Sequence, residues 1–141
     1  MKLIVANWKA TKTQAETRKW WRVFSSEPFQ KKDVHVVVSP AFIHLQMVSD
    51  LLKSAHFSFQ ITLGAQDVSP FPDGTYTGAV TARMLQDIGV THVIVGHSER
   101  RQWFHETPQD VALKVNQALH HDIHTIVSVD RENFRTQLAQ F

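Results

Sequence analysis

The chain has 141 residues, of which 43% are hydrophobic and 20% charged, with a formal net charge of +2. These values are typical of one globular domain with its own core, and so small a charge does not indicate nucleic acid. The absence of cysteine excludes disulfides and thiolate metal sites. No apolar run approaches the roughly 20 residues that cross a bilayer, and the N-terminal run is too short for a signal peptide. We expect one cytoplasmic domain over residues 1–141, without a membrane partner.

Apolar runs and helix signals alternate along the chain, and the pattern predicts five strands with helices between them. The predicted strands are residues 3–6, 34–38, 61–66, 93–95 and 125–129. The predicted helices run from Thr13 to Pro28, over residues 43–55 and 81–88, from Thr107 onward, and within the tail 130–141 with Phe134 and Leu138 one turn apart.

Helix ends and inward faces follow from local signals. A capping box is expected at Thr13 and Glu16, Gly89 suits a helix end, and Pro108 suits a first helical position. Helical spacing predicts these inward-facing sets: Trp20, Val23 and Phe24; Ile43, Met47, Leu51 and Ala55; Met84, Leu85 and Ile88; Val111, Val115 and Ala118.

Strands that alternate with helices favour right-handed βαβ units, and therefore a parallel sheet of the α/β class. Between the third strand and the third helix runs a long segment, residues 67–78, that is rich in glycine and proline and has no apolar periodicity. A loop of that length inside a compact domain is usually functional.

Polar side chains follow three of the predicted strands. Asn7 and Lys9 follow the first strand, Gln66 and Asp67 follow the third, and His97 and Glu99 follow the fourth. The carboxyl ends of parallel strands are where α/β folds place their chemistry. A lysine there can stabilise a developing oxyanion, and a histidine can polarise a carbonyl or move protons. The pattern indicates acid–base chemistry on a small anionic molecule.

Structural roles for the same residues remain open at this stage. Taken alone, His97 could be a structural hydrogen-bonding histidine and Lys9 a solvated surface lysine. Glu99 and Arg100 could form a buried ion pair at the rim, and Arg100 is expected to be structural. The group His120, His121 and His124 suggests a metal site, but no carboxylates stand at ligand spacing, so a solvated helix end is the preferred interpretation and no metal is predicted.

Four segments together resemble the triosephosphate isomerase family. Residues 93–101 (Val-Ile-Val-Gly-His-Ser-Glu-Arg-Arg) look like its signature, and residues 6–9 (Ala-Asn-Trp-Lys) look like its N-terminal motif. Residues 65–69 (Ala-Gln-Asp-Val-Ser) and 74–78 (Gly-Thr-Tyr-Thr-Gly) resemble its third loop. The four motifs stand in the family's order, and the resemblance runs from Met1 to about Val129.

The resemblance implies the fold and the reaction of that family. The fold is a TIM (β/α)8 barrel, here limited to about five strands. The reaction interconverts dihydroxyacetone phosphate and glyceraldehyde 3-phosphate in glycolysis and gluconeogenesis, without a cofactor. By the resemblance, His97, Lys9 and Glu99 are catalytic, and Asn7 and Lys9 bind substrate. His97 would polarise the carbonyl, and Glu99 would support Lys9.

The resemblance also implies a homodimer formed through the third loop. Gln66, Tyr76 and Thr77 would belong to this interface, and Thr77 would reach across to the partner. The catalytic glutamate after strand six and the phosphate loops after strands seven and eight have no counterpart in residues 1–141. We therefore expect these residues to be inactive alone, and to need a complementary C-terminal chain for activity.

Five parallel strands cannot close a barrel of eight, so strands one and five should be open edges. Such edges favour self-association. The alternative function is therefore non-catalytic: a shortened relative of the isomerases that acts as a self-associating half barrel or a binding module.

Overall fold

The computed structural model describes residues 1–26, 33–130 and 134–135. In this part of the chain, five parallel strands form one sheet in the order β1-β2-β3-β4-β5, with β1 and β5 at the edges. The strands are β1 (Lys2–Asn7), β2 (Val34–Ser39), β3 (Gln60–Ala65), β4 (Val90–Val95) and β5 (His124–Val127). The helices are α1 (Gln14–Ser26), α2 (Leu45–Lys53), α3 (Ala82–Asp87), α4 (Ser98–Trp103) and α5 (Pro108–Leu119).

The sheet is a curled half barrel of βα units, which confirms the predicted fold class and the predicted open edges. Neighbouring strands are in regular parallel register from Lys2 opposite Val34 at one end to Val95 opposite Val127 at the other. The one irregularity recorded in these pairings is a register shift between Leu63 and Gly64. All the pairings are parallel, so the carboxyl ends of the five strands lie at the same end of the sheet, where the polar residues lie.

The core lies between the sheet and the helices. Alternate residues of each strand face the helices, as the two-residue period of a strand requires. The buried side chains of this layer include Val36, Val38, Leu63, Val93 and Val95 from the strands, and Leu45, Val48, Leu85, Val111 and Ala118 from the helices. An aromatic cluster closes the β1 end: Trp20 packs on Trp8 with ring centroids 4.7 Å apart, and on Phe24 at 4.8 Å.

The predicted helix ends are confirmed where the structure describes them. Thr13 N–H donates to Glu16 Oε2 at 2.7 Å, and Glu16 N–H donates to Thr13 Oγ1 at 3.3 Å, so the capping box before α1 is formed. Gly89 follows α3 with φ of +90°, a conformation that glycine adopts without steric cost. Pro108 opens α5, as expected.

Two of the predicted inward faces are wrong at least in part, although Trp20 and Phe24 of α1 pack against the core as predicted. On α1, Val23 is 57% exposed, because the buried face is centred on Thr17 and Phe24 and lies to the other side of Val23. On α2, Ile43 is 81% exposed and lies in a 3-10 turn before the helix. The chain there carries a second apolar stripe, Leu45, Val48 and Leu52, and that stripe packs on the sheet instead of Met47 and Leu51.

The sequence predicts the short helices α3 and α4 less well than the longer helices. Met84 on α3 is 49% exposed, whereas Leu85 is fully buried, because a helix of six residues has too few turns to define a face. Helix α4 is absent from the sequence prediction, because residues 98–103 have no apolar periodicity. In the structure this helix buries none of its residues. The predicted helix end at Pro28 and the position of Leu138 lie outside the described residues, and Phe134 is exposed.

Three histidines lie together on the sheet face that points away from the helices. The ring centroid of His92 is 5.1 Å from that of His35 and 5.1 Å from that of His124. His35 Nε2 contacts Thr62 Oγ1 at 2.8 Å, and His92 Nδ1 contacts Thr91 Oγ1 at 2.8 Å. Burial lowers the pKa of His92, and the charges of His35 and His124 lower it further. The neutral imidazole is therefore the form that the folded state favours.

We predict that this histidine cluster makes folding stability depend on pH. Because the pKa of His92 is lower in the folded chain than in the unfolded chain, the neutral ring stabilises the fold fully above the unfolded pKa of about 6.5. This contribution is lost as the pH falls through the folded pKa. Urea unfolding at pH 7.5 and pH 5 should show a smaller loss of stability in His92→Phe than in the unmodified chain.

His56→Gln, which replaces an exposed histidine, is the matched control and should lose as much stability as the unmodified chain. An equal loss in His92→Phe would contradict the prediction.

Candidate active site

The carboxyl ends of β1 and β4 bring together the charged residues that the sequence singled out. Lys9 Nζ lies 2.6 Å from Glu99 Oε1, and the second oxygen of Glu99 lies 3.5 Å from His97 Nδ1. The two ends of the Lys9–Glu99 pair are 90 residues apart in the chain. The fold therefore joins Lys9, His97 and Glu99 in one group.

The backbone at Lys9 is strained and is held on two sides. Its φ of +54° lies in the left-handed region, which costs a non-glycine residue about 1–2 kcal/mol. Lys9 N–H donates to Asn7 Oδ1 at 2.9 Å, and the Gln66 amide donates to Lys9 O at 3.0 Å. Asn7 therefore lies beside Lys9, where its side chain shapes the turn that aims the lysine.

The imidazole of His97 caps helix α4. Glu99 N–H donates to His97 Nδ1 at 3.2 Å, so this nitrogen is an acceptor. In the neutral ring the proton must then be on Nε2, which fixes the tautomer. His97 is partly exposed and lines the cleft, so Nε2–H is the donor that the ring can offer to a ligand.

Glu99 is held in its charged form by its neighbours. The hydrogen bond from Lys9 is the main cause that lowers the pKa of Glu99, with a smaller contribution from the charge of Lys9. Glu99 therefore neutralises Lys9 in the free protein and keeps its ammonium in the cleft. The partners of Arg100 are different: it contacts Asp67 at 2.9 Å and Glu106 at 2.9 Å. Neither of these partners is Glu99, so the suggested Glu99–Arg100 pair is wrong.

Behind the cleft lies a buried charge network that the sequence interpretation missed. Lys114 Nζ lies 2.7 Å from Asp67 Oδ1 and 3.1 Å from Glu106 Oε1, and its side chain is 5% exposed. Burial raises the pKa of Asp67, while Lys114 and Arg100 act in the opposite direction. One sequence signal could have revealed this network, because Lys114 stands within the apolar stripe of α5 beside Val111. A lysine there needs buried partners.

The group opens into a cleft of about 240 Å³. Its lining also contains two apolar side chains, Phe42 and Phe104. The cleft is lined by Asn7, Lys9, Ala10, Ala41, Phe42, Gln66, Asp67, His97, Glu99, Arg100 and Phe104. A carbonyl compound in this space would meet an ammonium and an imidazole N–H from neighbouring walls.

The third-loop residues divide between the cleft and the surface. Gln66 lines the cleft and donates to the carbonyls of Lys9 and Ser39. Tyr76 and Thr77 are exposed at the tip of the loop, where Tyr76 stacks on Phe71 with ring centroids 4.5 Å apart. Tyr76 and Thr77 therefore point away from the cleft, and the interface role of all three residues stays a prediction.

Two further observations concern ligands and membranes. Across residues 1–26, 33–130 and 134–135, no three histidine or carboxylate side chains are placed to hold a metal ion, and this includes the group at His120, His121 and His124. In the same residues no helix is both long and apolar enough to span a bilayer.

A curled parallel sheet of βα units, with its charged group at the carboxyl ends of the strands, defines the class of βα-barrel proteins. The triosephosphate isomerase family model matches residues 2–140. The chain belongs to the triosephosphate isomerase family.

Triosephosphate isomerases from several bacteria are similar to this chain. Identity is 36% over 127 residues to that of Mesomycoplasma hyopneumoniae strain 232, covering 86% of this chain and 50% of the relative. It is 38% over 142 residues to that of Solibacter usitatus, covering 96% and 55%. It is 43% over 128 residues to that of Caldanaerobacter subterraneus, covering 90% and 49%. The chain spans about half the length of the curated relatives that it matches.

The Lys9–Glu99 contact can be tested without any assay of activity. In Lys9→Met the hydrogen bond and the positive charge are lost, so the pKa of Glu99 should rise towards its ordinary value. Carbon-13 NMR titration of the Glu99 carboxyl, assigned with Glu99→Gln, measures this pKa.

Lys12→Met is the control, because the ammonium of Lys12 lies over the Trp8 ring at 5.1 Å and does not contact Glu99. This variant should leave the pKa of Glu99 unchanged. A pKa that stays the same in Lys9→Met would contradict the observed ion pair.

Proposed function

We propose that this chain supplies the part of a triosephosphate isomerase site that polarises the substrate carbonyl. The observation that carries the proposal is the convergence of Lys9, His97 and Glu99 in one cleft at the ends of β1 and β4. The substrates would be dihydroxyacetone phosphate and glyceraldehyde 3-phosphate. Membership of the family supports this choice.

Each residue has a role that its geometry suits. His97 Nε2–H donates to the substrate carbonyl oxygen, and the imidazole moves a proton between the two oxygens of the enediolate. The Lys9 ammonium offsets the negative charge that develops on these oxygens. Glu99 holds Lys9 in the cleft until the substrate is bound, and Asn7 keeps the backbone of Lys9 in its strained turn. We propose Asn7 and Lys9 as the substrate-binding residues among these five strands.

The remaining chemistry needs groups outside these strands. The family places the base that removes the carbon-bound proton after strand six, and it places the phosphate-binding loops after strands seven and eight. We propose that residues 1–141 form one domain and act together with strands six to eight, whether those strands follow on the same chain or come from another. Those strands would cover the open edges of β1 and β5.

Complementation tests this function. The 141-residue chain is mixed with the C-terminal half of the Caldanaerobacter subterraneus relative, and isomerase activity is followed with a coupled dehydrogenase assay. We expect turnover from the mixture and none from either part. His97→Ala should lower kcat by at least about 100-fold, since it removes a hydrogen-bond donor from the developing oxyanion.

His56→Ala, which changes an exposed histidine far from the cleft in sequence, is the control and should match the unmodified chain. A fully assembled complex without turnover would overturn the proposal. Turnover that His97→Ala does not reduce would remove His97 from the catalytic role.

We also propose that the chain self-associates through its third loop, with Gln66, Tyr76 and Thr77 at or near the interface. Two features of the loop support this interface: side-chain hydrogen bonds hold the loop in place, and its aromatic rings are exposed to solvent. Asp73 accepts hydrogen bonds from Thr81, at 2.6 Å, and from Arg83. Phe71 is 42% exposed and Tyr76 is 43% exposed. A rigid loop with two exposed stacked rings suits a protein partner.

Light scattering tests this interface. The unmodified chain should have the mass of a dimer or a larger assembly, and the double variant Phe71→Ser, Tyr76→Ser should shift towards the monomer because the apolar contact is lost. Met84→Ser, which removes an exposed apolar side chain from α3, is the control and should leave the mass unchanged. A monomeric unmodified chain would contradict the interface.

The same measurements distinguish the isomerase function from a second candidate function, that of a non-catalytic half barrel. What favours it is the apolar edge strand β1, on which Leu3 is 50% and Ile4 48% exposed. A stable oligomer that does not bind the C-terminal half and shows no turnover would favour this alternative over the isomerase.

A further inference from the structure

We infer that Gln66 is a positioning residue for Lys9, which it holds through the lysine's backbone and not through its ammonium. This goes beyond the interface role expected of Gln66, and it rests on the proposed function only for its catalytic consequence. The geometry itself stands on the contacts between β3, β1 and β2.

The Gln66 amide bridges two chain segments. Its Nε2 donates to Lys9 O at 3.0 Å and to Ser39 O at 2.9 Å. Both partners are carbonyl oxygens, which can only accept, so the NH2 end of the amide must face them and both of its hydrogens are used. The end of β3 is thereby joined to the turn after β1 and to the last residue of β2.

The two acceptors do not depend equally on Gln66. Ser39 O also accepts from Trp8 N–H at 3.0 Å, so it keeps a partner when the amide is removed. For Lys9 O the recorded partner among the described residues is Gln66. Loss of the amide should therefore act mainly on the backbone of Lys9.

The backbone of Lys9 is where such a restraint matters. Lys9 has a φ of +54°, and Lys12 in the same turn has a φ of +75°. Residues other than glycine rarely adopt such positive φ values. The turn uses the same device twice, since the buried His44 contacts Lys12 O at 2.8 Å through Nε2. In each case a side chain from another element holds the carbonyl of a strained lysine.

Releasing the carbonyl of Lys9 would let the turn relax, and the lysine would then leave Glu99. With the backbone in its present direction, the ammonium lies 2.6 Å from Glu99 Oε1. The Lys9–Glu99 contact therefore shows whether Gln66 holds the lysine in place, since the Gln66 amide bonds to carbonyl oxygens and not to Glu99.

The test measures the pKa of Glu99 by carbon-13 NMR in the 141-residue chain. In Gln66→Met, which keeps the length of the side chain and removes its donors, the pKa of Glu99 should rise by a large part of the rise seen in Lys9→Met. In the double variant Lys9→Met, Gln66→Met, the second change should add nothing, because a positioning residue acts only through the residue that it positions.

Gln60→Met, at the exposed start of the strand that Gln66 follows, is the matched control and should leave the pKa of Glu99 unchanged. Gln66→Ala repeats the measurement, so that a packing defect specific to methionine cannot decide the result, and urea unfolding checks that each variant is folded. If Lys9→Met moves the pKa and neither Gln66 variant does, the inference is overturned. It is also overturned if the Gln66 change adds a full shift in the Lys9→Met background.

In the complemented enzyme, Gln66→Met should lower kcat/KM by about the same factor as Lys9→Met, and the double variant should be no worse than Lys9→Met. A complex without any turnover would contradict the proposed function and leave the titration result standing. The two failures are therefore distinguishable.

Discussion

The ion pairs of the buried Lys114 ammonium are the interaction on which the carboxyl end of this half barrel depends. It reaches from α5 to Asp67, which follows β3, and to Glu106, which precedes α5, at 2.7 Å and 3.1 Å. Arg100 of α4 contacts the same two carboxylates. Burying four charges carries a desolvation cost, and the pairs offset it only while all of them are present. Removing one partner from such a network typically costs about 3–5 kcal/mol.

This network explains how a helix with no buried residue keeps its place. Helix α4 has no apolar face to pack on the sheet, so Arg100 and Arg101 anchor it by their charges. Arg101 donates to the carbonyls of Gly96 and Ser128 and lies 2.6 Å from Asp130 Oδ1, which links the ends of β4 and β5. His97 caps this anchored helix, and its tautomer follows from that position.

The opposite wall of the cleft is fixed by a different principle. At the end of β1 the chain turns through two lysines with positive φ, and hydrogen bonds to side chains hold the strained backbone. Strain of this kind persists only where the surroundings over-determine the conformation. One wall is therefore held by buried charges and the other by side-chain bonds to backbone carbonyls. The Lys9–Glu99 pair spans the gap between them.

The sequence by itself determined the alternation of strands and helices, the parallel sheet, the capping box before α1 and the residue types at the strand ends. These features follow from local periodicity and from short motifs, which do not depend on distant contacts. It did not determine which stripe of α2 is buried, because Ile43 and Leu45 start two equally regular apolar patterns and only the sheet chooses between them. Nor did it reveal α4, which is held by ion pairs.

The family resemblance implies that Glu99 supports Lys9, and the tertiary structure sets their distance at 2.6 Å. The tertiary structure alone decided the pairings of Arg100 with Asp67 and Glu106, and of Gln66 with Lys9 O. The partners in each pair belong to different elements, and the fold sets their distances, whereas the sequence shows only that the groups exist.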